Sequence, residues 1–475
     1  MFKQLMPHQK EAINFLMGNK IGVLHHGTGA GKTVSALSTY RILANRQTIK
    51  RVLIISTVSG VTAFRADLLE FWPEMIDFYI WEDLDEPPPD SAQVVILTPN
   101  RLKSTAESAK VPAWPGSRKM VNQITRINFD ITQFDTLILD EVHKYVTPGS
   151  FLSDVLSYIR PAFQYIWCLT ATPMGSKIEP IYGIGNLFYP GVFGSFWTFK
   201  DKYCKFKIKR ARGRNYQEVV GYKNLEQLSE QIAPWFHKYH PDYDIRFYEH
   251  RMELSDHEKP YVIKAIKGIF DEKKQKEIPA TKLHDLQKAV DFGDKNQFTA
   301  KMWKLQELMD ENEGGLVLFS HKETLHYLHE QFQHRYDLAI ITGDVNLQKR
   351  IDVQEWLEPK KRKWVFMTAA GGESLNLHAV NNVIVFDIPY SPTELAQAIG
   401  RVARMTSKYD HFNAHFLIVD STIDEYKYNL LGHYKGIIEQ ILSGKTQLPD
   451  QPFVSKDMII WLRRSLLWRN MNPQG

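Results

Sequence analysis

The run Gly27-Thr28-Gly29-Ala30-Gly31-Lys32-Thr33 joins a short apolar stretch, residues 21–24, to a helix-like one beginning at Val34. A glycine-rich turn from strand to helix aims several backbone N–H groups at one point. It adds the positive end of the helix dipole, and together these suit a polyphosphate. Lys32 would reach the β- and γ-phosphates, and the Thr33 hydroxyl would ligate Mg²⁺. The strict loop pattern has glycine where His26 stands, so this is the shorter GxGKT form. Downstream, Asp140 and Glu141 close a second apolar run, residues 136–139. Two carboxylates at a strand end divide two jobs. Asp140 holds Mg²⁺ through water, and Glu141 orients and deprotonates an attacking water. His143, two residues on, is read either as a coupling residue or as polar surface.

A third element lies toward the C-terminus, Gln397-Ala398-Ile399-Gly400-Arg401-Val402-Ala403-Arg404. Arg401 and Arg404 are three apart on an expected helix and so share a face. Arginines arriving from a distance stabilise charge on a γ-phosphate, an effect worth roughly 10³–10⁵ in rate. If they belong to a second lobe, hydrolysis depends on lobe closure, which turns ATP turnover into motion.

These groups must be positioned by a scaffold, and the apolar runs outline one. Residues 21–24, 52–55, 94–97, 137–139 and 166–169 form one set; residues 316–319, 338–341, 364–367, 383–386 and 416–419 form another. Each alternates with helix-like sequence. Short runs of aliphatic residues without polar alternation suit parallel strands buried on both faces. The pattern occurs twice, so the expected class is α/β, with two tandem doubly wound parallel-sheet lobes. The expected boundaries are 1–180 for lobe 1, 181–300 for a helical insertion with an interlobe connector, 301–430 for lobe 2, and 431–475 for a C-terminal helical brace. Residues 86–90 read as a surface loop and 271–277 as a solvated charged stretch.

A chain of 475 residues exceeds what one core organises and suits two or three domains. An apolar fraction of 43% with 24% charged residues is that of a soluble globular protein rather than a disordered or membrane-embedded one. The net charge of +5 is mild, so the clustering of basic residues carries the information. Cys168 and Cys204 offer neither a disulfide framework nor zinc spacing, and Cys168 sits in an apolar strand pattern. The N-terminus has no signal-peptide core, and no segment is apolar for the ~18 residues a membrane span needs. The expectation is a cytoplasmic protein in a reducing compartment.

Basic residues do cluster. Residues 200–214 hold eight Lys/Arg and one acidic residue. Residues 203–210 alternate, 211–215 read as a turn containing Gly213, and 216–222 read as a return strand, which predicts a β-hairpin over about 203–222. Phe206 and Ile208 would line one face; Lys205, Lys207 and Lys209 would line the other, with Arg210, Arg212 and Arg214 near the tip. Lysines on phosphates and aromatics on bases would let such a hairpin press on a DNA fork and separate strands. The other reading is an exposed hairpin kept soluble by its lysines.

From Leu5 to Arg404 the chain resembles the superfamily 2 helicases, and within them the Snf2-like branch, through several ordered blocks. Leu5-Met6-Pro7-His8-Gln9-Lys10-Glu11-Ala12 looks like the adenine-reading block and implies Gln9 against the base. Leu97-Thr98-Pro99-Asn100 resembles a block touching the DNA backbone, which implies Thr98. Leu169-Thr170-Ala171-Thr172-Pro173 resembles the block coupling hydrolysis to DNA movement, which implies Thr170 and Thr172. Residues 181–203 are similar to the Snf2-type helical insertion. Val317-Leu318-Phe319-Ser320-His321 and Thr342-Gly343-Asp344 look like opening blocks of the second lobe. Residues 368–377 look like the block contacting DNA backbone and ATP, which implies Thr368 on DNA and Gly371 and Glu373 on the nucleotide. The family usually has Gly at the position of Ser374, and Ile-Gly-Gln where Met405-Thr406-Ser407 follows the second arginine.

The resemblance implies a DNA helicase or translocase using ATP and Mg²⁺, with DNA across both lobes and ATP between them. At this length the appendages of nucleosome remodellers are not expected. The expectation is therefore a compact phage or bacterial type, a monomer in the cytoplasm (of a bacterial host if phage-encoded), whose partners are DNA and recombination or replication proteins. Branch migration or fork remodelling in replication, recombination or repair is the expected task. An RNA helicase, a double-strand translocase without strand separation, and an ATP-gated binding protein are the alternatives.

Overall fold

In the computed structural model, the described residues are 5–71, 77–82, 85–112, 120–174, 177–211, 214–270, 280–293, 297–369, 371, 375, 377–404 and 407–432. All but the first two residues of the expected C-terminal brace, the charged stretch 271–277, Arg212 and Glu373 lie outside them. The chain divides into two compact units. The first runs to Lys202 and takes in Gln227–Pro241; the second comprises Tyr203–Glu226 and the chain from Asp242 onward.

Strands in chain order are β1 (Ile21–His26), β2 (Val52–Ile55), β3 (Phe78–Ile80), β4 (Val94–Leu97), β5 (Ala106–Pro112), β6 (Met120–Ile127), β7 (Thr136–Asp140) and β8 (Tyr165–Thr170). There follow β9 (Cys204–Ala211), β10 (Arg214–Tyr222), β11 (Phe236–Tyr239), β12 (Asp244–Met252), β13 (Gly314–Phe319), β14 (Asp337–Ile341), β15 (Lys363–Thr368), β16 (Asn382–Val385) and β17 (His411–Val419). The first unit carries a sheet in the order β11-β1-β8-β7-β2-β4-β3, parallel throughout. The second carries β12-β17-β16-β13-β15-β14, also parallel throughout. Two pairs stand apart from these sheets, the antiparallel β5–β6 and the antiparallel β9–β10.

All ten apolar runs of the sequence are strands, because each is covered on both faces. In the first unit, Leu37 and Tyr40 of helix Lys32–Asn45 and Phe64 and Leu68 of helix Val58–Phe71 pack with Ile54, Ile96 and Ile138 in one core. In β13 the pleat separates the two faces: Leu316 and Leu318 join one core, Val317 and Phe319 the other. Cys168 is buried in this way too, and burial pushes its thiol up, so it is a core residue.

The range 181–300 departs from the expected single insertion. Helices Glu179–Phe188 and Phe196–Tyr203 and the β9–β10 hairpin are there. Within the same range, however, β11 completes the first sheet beside β1, and β12 completes the second beside β17. Both are edge strands with polar residues, His237 and Lys238 in one and Arg246, Glu249 and Arg251 in the other. An edge strand needs no continuous apolar run, so the periodicity did not reveal them.

The second unit buries charge. The Lys301 ammonium is fully buried, 2.7 Å from Asp291 and 3.0 Å from Asp424, both also fully buried. Gln287 Nε2 donates to both carboxylates, and Thr324 Oγ1 donates to Asp291. Asp387, at the end of β16, accepts from Lys427 Nζ at 2.9 Å and pairs with His321 Nδ1 at 2.5 Å. Burial pulls the Lys301 ammonium down, but Asp291, Asp424 and Asp387 outweigh it and push it up. Burial raises Asp387 as well, yet Lys427 and His321 hold it below the carboxylate range. Removing one member of such a network leaves an uncompensated buried charge, at about 3–5 kcal/mol. Lys301→Met should therefore lower the unfolding free energy by about that amount in urea titration of the full chain. A loss under ~1 kcal/mol would show that the network is not structural.

Candidate nucleotide-binding site

The carboxyl ends of β1, β8 and β7 emerge side by side, with His25 opposite Thr170 and Asp140 opposite Leu169. After β1 the chain turns through Gly29 and Gly31, at φ +74° and +75°. Gly31 is the N-cap of helix Lys32–Asn45, and any Cβ there would lie 2.2 Å from Gln9 Nε2. Glycine is thus required twice at Gly31, by its left-handed backbone and by the Gln9 carboxamide against it. Gln9 Oε1 accepts from Met6 N at 2.9 Å, which fixes the carboxamide on the loop. The Lys32 ammonium donates to the carbonyls of His26 (3.0 Å) and Gly27 (3.3 Å). Thr28 is half-buried, Ala30 is buried, and Thr33 follows in the first turn of the helix. Residues 27–33, expected to hold phosphate, thus form a turn at a helix N-terminus.

Asp140 sits at the tip of β7 and accepts from Ser56 Oγ at 2.7 Å. A Cβ on Gly60 would lie 1.9 Å from that Oγ, so the glycine makes room for the pair. Burial, and then the neighbouring Glu141 charge, push the Asp140 carboxyl up to about 6 against the pull of Ser56 and Lys32. A desolvated carboxylate of this kind favours a cation. With Thr33 it offers hard oxygen donors, as Mg²⁺ requires. Among the described residues no cluster of three or more His, Cys, Asp or Glu could hold an ion. Ser56 was not picked out from the sequence; its signal was its place at the end of β2.

Glu141 has φ +52° and ψ +48°, a left-handed conformation that for a non-glycine residue costs on the order of 1–3 kcal/mol. The strain is held by the bond from Glu141 N to Leu169 O at 2.7 Å. It is held also by Thr170 Oγ1, which donates to Glu141 Oε2 at 3.0 Å. The same hydroxyl accepts from Thr172 N at 3.0 Å and from His143 Nδ1 at 3.1 Å. One donor bond and two acceptor bonds complete the hydroxyl. His143 is therefore not a surface residue but a partner of Thr170, 3.5 Å from Glu141.

Behind the loop lies a group of histidines drawn from β1, β11 and the first helix. His26 Nε2 and His237 Nδ1 are 2.8 Å apart, and His25 Nε2 is 3.2 Å from Ala171 O. Burial first, then His237 and Lys32, push His26 from the ordinary 6.5 down to about 3. Burial also lowers His25. The unfolded chain therefore binds more protons than the folded one between pH 6.5 and about 3, and stability falls as pH drops through that window. Acid titration followed by circular dichroism should show this loss. His26→Gln should flatten it, and an unaltered profile would remove His26 as its source.

Other expected site residues fall elsewhere. Thr98 caps the short helix Pro99–Ser104, its hydroxyl accepting from Arg101 N at 3.2 Å. Thr368 ends β15 and receives Gly371 N on its carbonyl (2.9 Å) and hydroxyl (3.3 Å). A Cβ on Gly371 would lie 2.4 Å from Ile341 O, so this glycine serves close packing against β14. Gln397 and Arg401 lie on helix Pro392–Val402. Arg404 does not: Ala403 is extended at φ −75°, ψ +97°, and ends the helix before it. The two arginines therefore do not share a helical face as expected. Arg404 instead donates to Gly400 O (3.1 Å) and Leu375 O (2.9 Å). Burial, then the Arg401 charge, lower it to about 9, so it stays a cation at neutral pH. On the hairpin, Lys205 is half-buried, Lys207 lies opposite Glu218, and Ile208 is 69% exposed. The backbones of Lys209, Arg210 and Arg214 pair in the ladder opposite Tyr216, Asn215 and Ala211.

The glycine loop, the Asp140–Glu141 turn and the linked Thr170–Thr172 turn stand on one parallel sheet, with a second parallel-sheet unit after it, an arrangement that suits an ATP-hydrolysing helicase or translocase. Residues 8–336 match the SNF2-related domain and residues 300–406 the helicase conserved C-terminal domain. The chain belongs to the SNF2-related family. It is similar to the "Uncharacterized ATP-dependent helicase YqhH" of Bacillus subtilis, at 21% identity over 92% of this chain and 79% of that protein. It is 23% identical to the human "DNA excision repair protein ERCC-6-like" over 96% of this chain and 42% of that protein. It is also 21% identical to the human "DNA annealing helicase and endonuclease ZRANB3", over 94% of this chain. The chain spans less than half of these two human relatives, 42% and 41%. Among solved structures, the Sulfolobus solfataricus SWI2/SNF2 ATPase core in complex with dsDNA aligns over 98% of this chain and 97% of that one, at 17% identity and TM-score 0.42. Among the described residues no helix is long and apolar enough to cross a membrane.

Proposed function

We propose that this motor is driven by ATP with Mg²⁺ and moves along DNA to remodel branched or forked substrates in replication, recombination or repair. The observation that carries the reading is the Thr170 hydroxyl. It joins the water-activating Glu141 to the turn ending in Thr172, so a change at the γ-phosphate has a short route out of the site. Lys32 and the loop amides hold the phosphates, Thr33 and Asp140 hold the ion, and Glu141 orients and deprotonates the attacking water. The ion supplies charge neutralisation across the phosphate oxygens. Arg401 is the arginine we assign to the γ-phosphate, Gln397 its partner on the same helix, and Arg404 the second arginine if it exchanges its two carbonyl bonds. Gln9 reads adenine, with Gly371 and Glu373 completing the nucleotide contacts.

The hairpin motivates the fork assignment. Its basic face suits phosphates, and the exposed Ile208 gives an apolar tip-ward contact. Relatives named for DNA repair and DNA annealing agree with DNA as the track. Glu141→Gln should lower kcat by about 10²–10⁴ while ATP binding persists, measured by steady-state hydrolysis and nucleotide titration. Turnover equal to wild type would take the base role from Glu141. Lys205→Glu with Lys207→Glu should slow displacement of forked strands and reduce the salt slope of DNA binding by about 0.9 for each phosphate no longer neutralised. Undiminished displacement would reduce the hairpin to a structural part. Stronger stimulation of ATPase by single-stranded RNA than by any DNA would replace the DNA reading altogether.

A further inference from the structure

The phosphate loop is gripped from behind by the last strand of its own unit. β11 runs parallel to β1, from Val23 opposite Phe236 to His26 opposite Tyr239. The ladder continues into the loop, where Gly27 N donates to Tyr239 O at 2.8 Å. A Cβ on Gly27 would lie 2.8 Å from Pro241 Cδ, so the loop backbone packs directly on the Pro241 ring. Pro241 is the last residue of the first unit, and the chain enters the second at Asp242. A second hold comes from the first helix. His8 is buried, its Nε2 lies 2.9 Å from Ala30 O, and its ring stacks on Tyr239 with centroids 3.7 Å apart and planes 4° apart.

A carbonyl only accepts, so His8 donates from Nε2. The Ala30–Gly31 peptide is trans, and its C=O and N–H point in opposite directions. Fixing the Ala30 carbonyl on His8 therefore fixes the Gly31 N–H away from His8. If that peptide turned over, a carbonyl oxygen would replace an amide hydrogen where a phosphate is to bind, exchanging attraction for repulsion. Tyr239 keeps the imidazole in place by covering its face.

We propose that His8 and Tyr239 are positioning residues of the phosphate loop, a stacked pair that holds the Ala30–Gly31 peptide in the anion-binding sense. The same pair ties the loop to the segment through which the chain leaves for the second unit. Both are placed to act through the loop backbone. The inference rests on residues 27–33 being the phosphate loop, and Lys32→Ala tests that separately.

The experiment is ATP hydrolysis by the full chain, with nucleotide affinity from a fluorescent ATP analogue and thermal melting on the same samples. His8→Ala should raise KM and the analogue Kd about tenfold, the effect of one neutral hydrogen bond, with kcat within about twofold. His8→Gln, which places an amide donor where Nε2 stood, should recover most of that loss. Tyr239→Leu should raise KM in the same direction, and Tyr239→Phe, which keeps the ring, should restore it. A drop in melting temperature for His8→Ala or Tyr239→Leu with unchanged KM would overturn the proposal, since packing alone would then explain the pair. So would a KM defect that His8→Gln does not relieve. Should His8→Ala not fold, the Tyr239 pair decides by the same criterion. If Lys32→Ala binds the analogue like wild type, the loop reading fails, whatever His8 does.

Discussion

The site depends on one constraint, the parallel register of β1, β8 and β7. Because the three strands run the same way and end together, three separate stretches of sequence deliver their loops to one edge. A one-residue slip would turn every side chain to the other face and take Asp140 out of line with Ser56 and Thr170. The buried aliphatic residues on both faces hold that register. The same cores that make the first unit stable thus align its chemistry.

Given that alignment, the chemistry is carried by strained or unusual backbone. Gly29, Gly31 and Glu141 all lie in left-handed conformations, in the turns at the strand ends. For the glycines this is inexpensive; for Glu141 it is not, and the residue stays there because its amide is bonded to Leu169 and its carboxylate to Thr170. Thr170 is therefore a hub. Any shift of the Glu141 carboxylate toward a water must lengthen or re-aim a bond to a hydroxyl already shared with Thr172 and His143. In the proposed motor this gives motion a short path out of the site.

Much of this was legible in the sequence. The ten apolar runs, the glycine loop, the Asp-Glu pair and the hairpin each carry a local signal, in periodicity or in turn chemistry, and local signals survive folding. What was missed depends on pairing between distant segments. β11 has four residues with two polar ones, and only its partner β1 makes it a strand. Ser56 is an ordinary serine until β2 lies beside β7. Arg404 looked like a helical neighbour of Arg401 because spacing says nothing about where a helix stops, and neither glycine nor proline marks the end at Ala403. The carbonyl partners of its guanidinium were likewise beyond reach of the sequence.

The two units solve the same problem in opposite ways. Loops at the carboxyl ends of parallel strands bring polar groups to the margin of an apolar core, where each must be paired. The first unit uses imidazoles: one nitrogen of each of His8, His25, His26 and His237 meets a carbonyl or another ring, and burial keeps His25 and His26 uncharged near neutral pH. The second uses full charges, with Lys301 and Lys427 set against Asp291, Asp424 and Asp387. The difference suits the role proposed for the first unit's edge. A site that is to receive a highly charged anion and a cation is best surrounded by neutral groups that neither compete for them nor repel them. The second unit's network is closed on itself, so the strong directional pairing of buried ions can fix its helices to the ends of β16 and β17, and Ser320 and His321 after β13 are held in turn by Asp387.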